Sequence, residues 1–91
     1  MTSKQVIFSG RVQGVGFRYH TKQLALGFEV VGWVKNRRDG TVELQAMGEE
    51  AELSEFIEEI VAESELAPLI KDYDITDIAP LQGCRGFRIE S

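Results

Sequence analysis

The chain has one cysteine and one histidine in its 91 residues. A single thiol, Cys84, excludes an internal disulfide and fits a reducing, cytoplasmic setting. One His, one Cys and no carboxylate cluster at helical ligand spacing near the glycine-rich stretch leave nothing that reads as a metal site. No apolar run approaches the length of a membrane span. The opening Met1-Thr2-Ser3-Lys4-Gln5 does not lead into a signal-type apolar core, so no membrane association is expected. Positive charge is also short. Ten Lys and Arg against fifteen Asp and Glu give a net charge of −5, which disfavours a general nucleic-acid binder. The shortage lies in the second half, where Lys71, Arg85 and Arg88 face thirteen acids. Residues 49–65 carry eight acids and no Lys or Arg at all, the composition of a solvated helix face.

Residues 1–40 reverse the balance, with seven basic residues against Glu29 and Asp39. They also hold the stretch Gly10-Arg11-Val12-Gln13-Gly14-Val15-Gly16-Phe17-Arg18, which follows an apolar run and enters a helical pattern. Arg18 falls in the first turn of that helix, where the helix dipole repels a cation. An anion held between free backbone N–H groups and the guanidinium turns the repulsion into attraction. Glycines, a strand-to-helix context and a first-turn Arg together read as an anion cradle.

The length suits one compact domain, spanning 1–91. Residues 4–10, around Val6-Ile7-Phe8, read as a central strand. Phe17, Thr21, Leu24, Ala25 and Phe28 recur at helical spacing and place a helix over about 17–26, with Gly27 at its stop. Glu29 to Asn36 reads as a strand with Val30, Gly32, Val34 and Asn36 on one face. Arg37-Arg38-Asp39-Gly40 is a tight turn into a cleanly alternating strand, Thr41 to Met47. Gly48-Glu49-Glu50 opens a second helix with the apolar stripe Leu53, Phe56, Ile57, Ile60 and Val61. Pro68 ends it. Leu69 to Ile78 reads as a fourth strand, and Phe87 and Ile89 as a short last one. The order β-α-β-β-α-β plus a short extra strand predicts an α+β, ferredoxin-like sandwich: an antiparallel sheet with two helices on one face.

Several phosphate chemistries are closed to the cradle. No Walker string is present. A dinucleotide fingerprint needs a glycine at position 19, which is Tyr19. A cysteine phosphatase loop needs a Cys where Val12 stands, so no side-chain nucleophile is available. If chemistry takes place at the cradle, water is left as the nucleophile, with no metal and no cofactor required.

Gly10-Arg-Val-Gln-Gly-Val-Gly-Phe-Arg18 and Gly32-Trp-Val-Lys-Asn-Arg-Arg-Asp-Gly40 resemble the two signature segments of the acylphosphatase family, in order and in spacing. Length, element order and the ending Gly86 to Ile89 are similar too. The match is weakest between about 64 and 85. The resemblance implies metal-independent hydrolysis of acyl phosphates, the mixed anhydrides of a carboxylic acid and phosphate. It also implies two catalytic residues, Arg18 on the phosphate and Asn36 on the attacking water. Physical reasoning is consistent with those roles. A guanidinium donates two parallel hydrogen bonds while carrying charge. The N–H groups of Gly14, Val15, Gly16 and Phe17 can complete the cradle. A neutral amide cannot act as a base but can orient a water.

On the same sequence, two other readings compete. Gly14-Val-Gly-Phe17 is loosely similar to an RNA-recognition motif, but it precedes a helix, and the strand from Thr41 carries no aromatic. A non-enzymatic small-anion-binding module would need Arg18 but not Asn36. His20 reads as a packed or hydrogen-bonded histidine, Tyr19 and Trp33 as packing or rim residues, and Arg37 and Arg38 as solvated turn residues. The expected partner is a small-molecule acyl phosphate, with no nucleic acid, on a monomer.

Overall fold

The computed structural model describes residues 1–90. Alternation sets one layer. In β1 (Thr2–Gly10), β2 (Val30–Asn36) and β3 (Val42–Gly48), the side chains of Val6, Phe8, Val30, Val34, Val42, Leu44 and Ala46 are all buried on one side. Side chains two apart share a face of a pleated strand, so three alternating segments make one apolar surface. That surface is covered by α1 (Phe17–Ala25), which packs on β2, and by α2 (Glu50–Glu58), which packs on β3. Phe17, Thr21 and Ala25 point inward from α1, and Leu53, Phe56 and Ile57 from α2. Phe8 and Phe17 meet at 5.0 Å between ring centroids, and Phe56 touches both Phe28 (5.6 Å) and Phe87 (5.8 Å). Each fully buried ring stabilises the fold by about 1.5–3 kcal/mol relative to exposure.

With β4 (Ile70–Asp77) and β5 (Phe87–Glu90), the sheet order is β4-β1-β3-β2-β5. The first four strands are mutually antiparallel where they touch, as the sequence predicts. The extra strand β5 adds parallel to β2, so the complete sheet is mixed. β1 is an interior strand, between β4 and the central β3, but only its helix-side face is covered, and Ile7 on the other face is half-buried. β4 is an exposed edge; Tyr73 and Ile75 lie opposite Phe8 and Val6 yet remain open to water. Gly32 leaves no room for a side chain beside β3: a Cβ there would stand 2.0 Å from the Gln45 carbonyl oxygen.

The second helix departs from the expected continuous helix. Gly48 closes β3, opposite Thr2 and Val30, instead of opening the helix. Beyond Glu58 the chain widens into a π-helical turn, Glu59–Glu63, closed by Ser64 N–H donating to the Glu59 carbonyl at 2.8 Å. Ser64 is buried; its hydroxyl donates to the Ile60 carbonyl (2.8 Å) and accepts from the Leu66 N–H (3.1 Å). The wider turn lets both Ile60 and Leu66 reach the core before the 3-10 turn Ala67–Leu69 leads into β4.

Candidate active site

The connection from β1 to α1 is held at several points and left open between them. Arg11 N–H donates to the Leu69 carbonyl (2.9 Å), and the Val12 side chain is fully buried. The Gln13 amide then donates to two carbonyls of the β2–β3 turn, Arg37 at 2.7 Å and Thr41 at 2.9 Å. Gly14 and Gly16 follow with φ of 75° and 77°. An added Cβ would meet nothing within 4 Å at either position, so left-handed backbone, not lack of space, calls for glycine here. Val15 leans on the core between them. Gly16 precedes α1 directly, and its carbonyl accepts the His20 N–H at 2.9 Å. The N–H groups of Gly14, Val15, Gly16 and Phe17 have no hydrogen-bond acceptor among the described residues. α1 also has no side-chain cap and no acid in its first turn, so its positive end is unneutralised by the helix itself.

Arg18 and Asn36 line the same pocket, of about 190 Å³, together with Gly14 and Gly16. Val12, Phe17, Tyr19 and Ile89 complete its lining. The fold brings these together because α1 packs beside β2 and β5, and Asn36 is the last residue of β2. Arg18 is half-buried, and its Nη1 donates to the Glu90 carbonyl at 3.1 Å. That contact, Ile89 and Gln13 are site features that sequence reasoning missed. A backbone acceptor leaves no mark in residue types, and a lone Gln in a loop has no periodicity to read. Gly14, Gly16 and Phe17 border the pocket; Val15 is not among its lining residues.

The turn after Asn36 is tightly made. Arg37 N–H donates to the Thr41 carbonyl (2.8 Å) and Gly40 N–H to the Arg37 carbonyl (3.2 Å). The Asp39 carboxylate accepts from the Thr41 hydroxyl (2.6 Å) and the Thr41 N–H (3.0 Å). Those bonds, the hydroxyl foremost, with Arg37 nearby, hold its pKa below the ordinary carboxylate value of 3.8. Gln13 grips the same turn, so the cradle and Asn36 share one hydrogen-bonded frame.

Other candidates fall elsewhere. His20 is half-buried and outside the pocket. Trp33 lies on the open sheet face with the Lys35 ammonium 5.9 Å from its ring centroid. Tyr19 does stand at the pocket. Cys84 is a half-buried free thiol. The carboxylates of Glu55, Glu58, Glu59 and Glu63 ring a shallow groove with Ser54 and Phe28. Among the described residues no group of three His, Cys, Asp or Glu could hold a metal ion, and no helix is long and apolar enough to cross a membrane.

A half-open sandwich with a pocket lined by Arg18, Asn36 and two left-handed glycines defines a small α+β protein with one face of its sheet uncovered. Comparison with known proteins names the class. A family model described as Acylphosphatase matches residues 4–89. The acylphosphatase of Bacillus subtilis (strain 168) is 40% identical over 89 residues, spanning 98% of this chain and 97% of that protein. Its counterpart from Lacticaseibacillus paracasei is 36% identical over 87 residues, with 96% and 94% covered. The crystal structure of acylphosphatase from Bacillus subtilis matches with a TM-score of 0.89 over 100% of both chains. An acylphosphatase structure from Coxiella burnetii matches with a TM-score of 0.84 at 31% identity, over 98% of this chain and 92% of the other. The chain belongs to the acylphosphatase family and is a hydrolase of that class.

Proposed function

We propose that this chain, acting as a single domain, hydrolyses acyl phosphates by direct attack of water on phosphorus. Arg18 holds the phosphoryl oxygens through its planar fork, and the N–H groups of Gly14, Val15, Gly16 and Phe17 bind from the other side. Asn36 orients the water. Phosphoryl transfer needs chiefly positioning and charge stabilisation, which fixed N–H donors and a guanidinium supply. The leaving carboxylate is a weak base, so no strong general acid is called for. The amide of Asn36 cannot take the water's proton; a phosphate oxygen of the substrate takes it. A metal ion has no role in this scheme, since Arg18 and the helix end repel a cation from the place where one would act.

The observation that carries this reading is the shared pocket: Arg18, Asn36 and three residues whose N–H groups are unpartnered among the described residues, Gly14, Gly16 and Phe17, line the same space. The substrate is a small acyl phosphate, and the setting is cytoplasmic, with neither nucleic acid nor a second subunit needed. The test is turnover of an aryl acyl phosphate in the presence of a chelator. Native protein should hydrolyse it, and Asn36→Ala should lose about 10²–10³-fold in kcat with phosphate binding kept. Binding of phosphate without any turnover by folded native protein would replace hydrolysis with simple anion capture.

A further inference from the structure

We infer that Gln13 is a positioning residue for the hydrolysis: its side-chain amide fixes Asn36 relative to the phosphate cradle, so that water and phosphate are aligned together. The inference rests on the hydrolytic reading above. It adds to that reading a residue that lies outside the pocket lining and acts through another.

The two halves of the site come from distant segments and are tied down in different places. Arg18 stands on α1 and donates to the Glu90 carbonyl at 3.1 Å. Asn36 ends β2 and leads straight into the turn before β3. The cradle loop has to be set against that turn. Arg11 is held by the Leu69 carbonyl and Val12 by burial. Gly14 and Gly16 are left-handed with open space beside each, and glycine is the least restrained residue type. Gln13 is therefore the last polar side chain that can anchor the loop before it opens. Among the described residues, its bonds to the carbonyls of Arg37 (2.7 Å) and Thr41 (2.9 Å) are the only hydrogen bonds joining residues 11–17 to the turn at 36–42.

Donor and acceptor counts make the contact specific to a primary amide. The Arg37 N–H donates to the Thr41 carbonyl, and the Arg37 carbonyl accepts from the Gly40 N–H. The turn thus uses one lone pair on each carbonyl and leaves one free. Nε2 of Gln13 carries two hydrogens and fills both vacancies from a single nitrogen. A carboxylate of the same shape has no hydrogen to give, and a hydroxyl has one. The grip falls on Arg37, the residue next to Asn36 in the chain. Holding that carbonyl limits how far the Asn36 backbone can drift from the loop that carries the N–H donors. Phosphate binding itself does not depend on the grip, because Arg18 is tied to β5 and the N–H groups belong to the loop and to α1.

The experiment measures kcat and KM for an aryl acyl phosphate in Gln13→Met and Gln13→Lys, each made in native protein and in Asn36→Ala. Thermal melts under assay conditions set the folded fraction, and rates are expressed per folded molecule. Gln13→Met keeps the length and apolar stem of the side chain but has no donor. It should lower kcat about tenfold, since misplacements of an ångström or less are costly in a reacting geometry. KM should change by no more than about twofold, because the phosphate contacts remain. In the Asn36→Ala background the same change should cost about twofold or less, because residues acting through one another are not additive. Gln13→Lys restores donors on a slightly longer stem and should recover most of the lost kcat. Equal losses from Gln13→Met in both backgrounds overturn the assignment, as that is what a loosened fold would give. So does a loss confined to KM, or a Gln13→Lys protein no faster than Gln13→Met. If folded native protein shows no turnover, the hydrolytic reading fails and the role of Gln13 fails with it. If native protein turns over and Gln13→Met matches it, only the role of Gln13 fails.

Discussion

The two helices cover the same sheet face, yet their amino ends are built in opposite ways. α2 begins from an extended residue, Glu49, and places Glu50 and Glu52 in its first turn. Its own carboxylates meet its positive end, and Glu52 also accepts the Glu29 N–H at 2.8 Å. α1 begins from a left-handed glycine, has no acid in its first turn and sets Arg18 there instead. One helix settles its dipole internally; the other does not. A helix end that is electrostatically unfavourable in the isolated fold is what the proposed anion site requires. The same contrast runs through the charge distribution, with the basic residues grouped in the first forty positions and the acids along α2.

The largest expected effect attacks the α1 end directly. Arg18→Gln should lower turnover by about 10⁴-fold, within the range for a guanidinium that stabilises a transferring phosphoryl group. Its stability in phosphate-free buffer should stay within about 1 kcal/mol of native, because removing a cation from a positive helix end offsets the lost bond to the Glu90 carbonyl. Thermal melts with inorganic phosphate complete the test. At roughly 100 times the dissociation constant, phosphate should stabilise the native protein by about 2.7 kcal/mol, and Arg18→Gln by far less. An Arg18→Gln protein that phosphate stabilises as well as native would separate the guanidinium from the anion site.

Much of this contrast is legible in residue types. Strand alternation from Val42 to Ala46, the apolar residues Leu53, Phe56 and Ile57 of α2 and the glycines before Arg18 each follow from local geometry, and all occur where the sequence places them. Arg18 stands out within its own segment, as a cation in the first turn of a helix, whereas Asn36 stands out only when the two distant segments are read together, since an Asn before a turn is otherwise unremarked. What stayed hidden depends on partners far away in the chain. Gln13 reaches carbonyls 24 and 28 residues on, and Arg18 a carbonyl 72 residues on. The parallel seat of β5 is likewise set by packing beside α1, not by its four residues. The π-helical turn is hidden for another reason: Ile60, Ser64 and Leu66 suit an ordinary helix, and only burial of both Ile60 and Leu66 selects the wider one.

That turn gives the next effect in size, on the α2 side of the comparison. Ser64→Ala removes the acceptor of the Leu66 N–H and the donor to the Ile60 carbonyl, leaving both in a buried setting. A loss of about 1–3 kcal/mol is expected in urea unfolding, with acyl phosphate turnover in the folded protein unchanged. Smaller again are the acids of the α2 first turn. Glu50→Gln should cost about 0.3–1 kcal/mol at low salt and less at high salt, as a dipole interaction requires. Equal losses at both ionic strengths would mean that α2 does not owe its start to charge, and would blur the contrast with α1.

The smallest effect concerns the turn that joins the two halves of the site. Asp39 is fully exposed, but its bonds to Thr41 lower its folded-state pKa below 3.8. A group whose pKa is depressed on folding contributes stability that is present above its unfolded value and lost as pH falls through the folded one. The stability difference between native protein and Asp39→Ala should therefore be flat at neutral pH and shrink only in acid, below about 3.8. Carbon-detected titration of the Asp39 carboxyl should give a midpoint under that value, and a midpoint at or above it would dissolve the argument. Because Gln13 donates to the Arg37 and Thr41 carbonyls of the same turn, loosening Asp39 should also reach Asn36 and the cradle. A modest fall in kcat for Asp39→Ala, with KM little changed, is the expected sign that the turn aligns the water while α1 holds the phosphate.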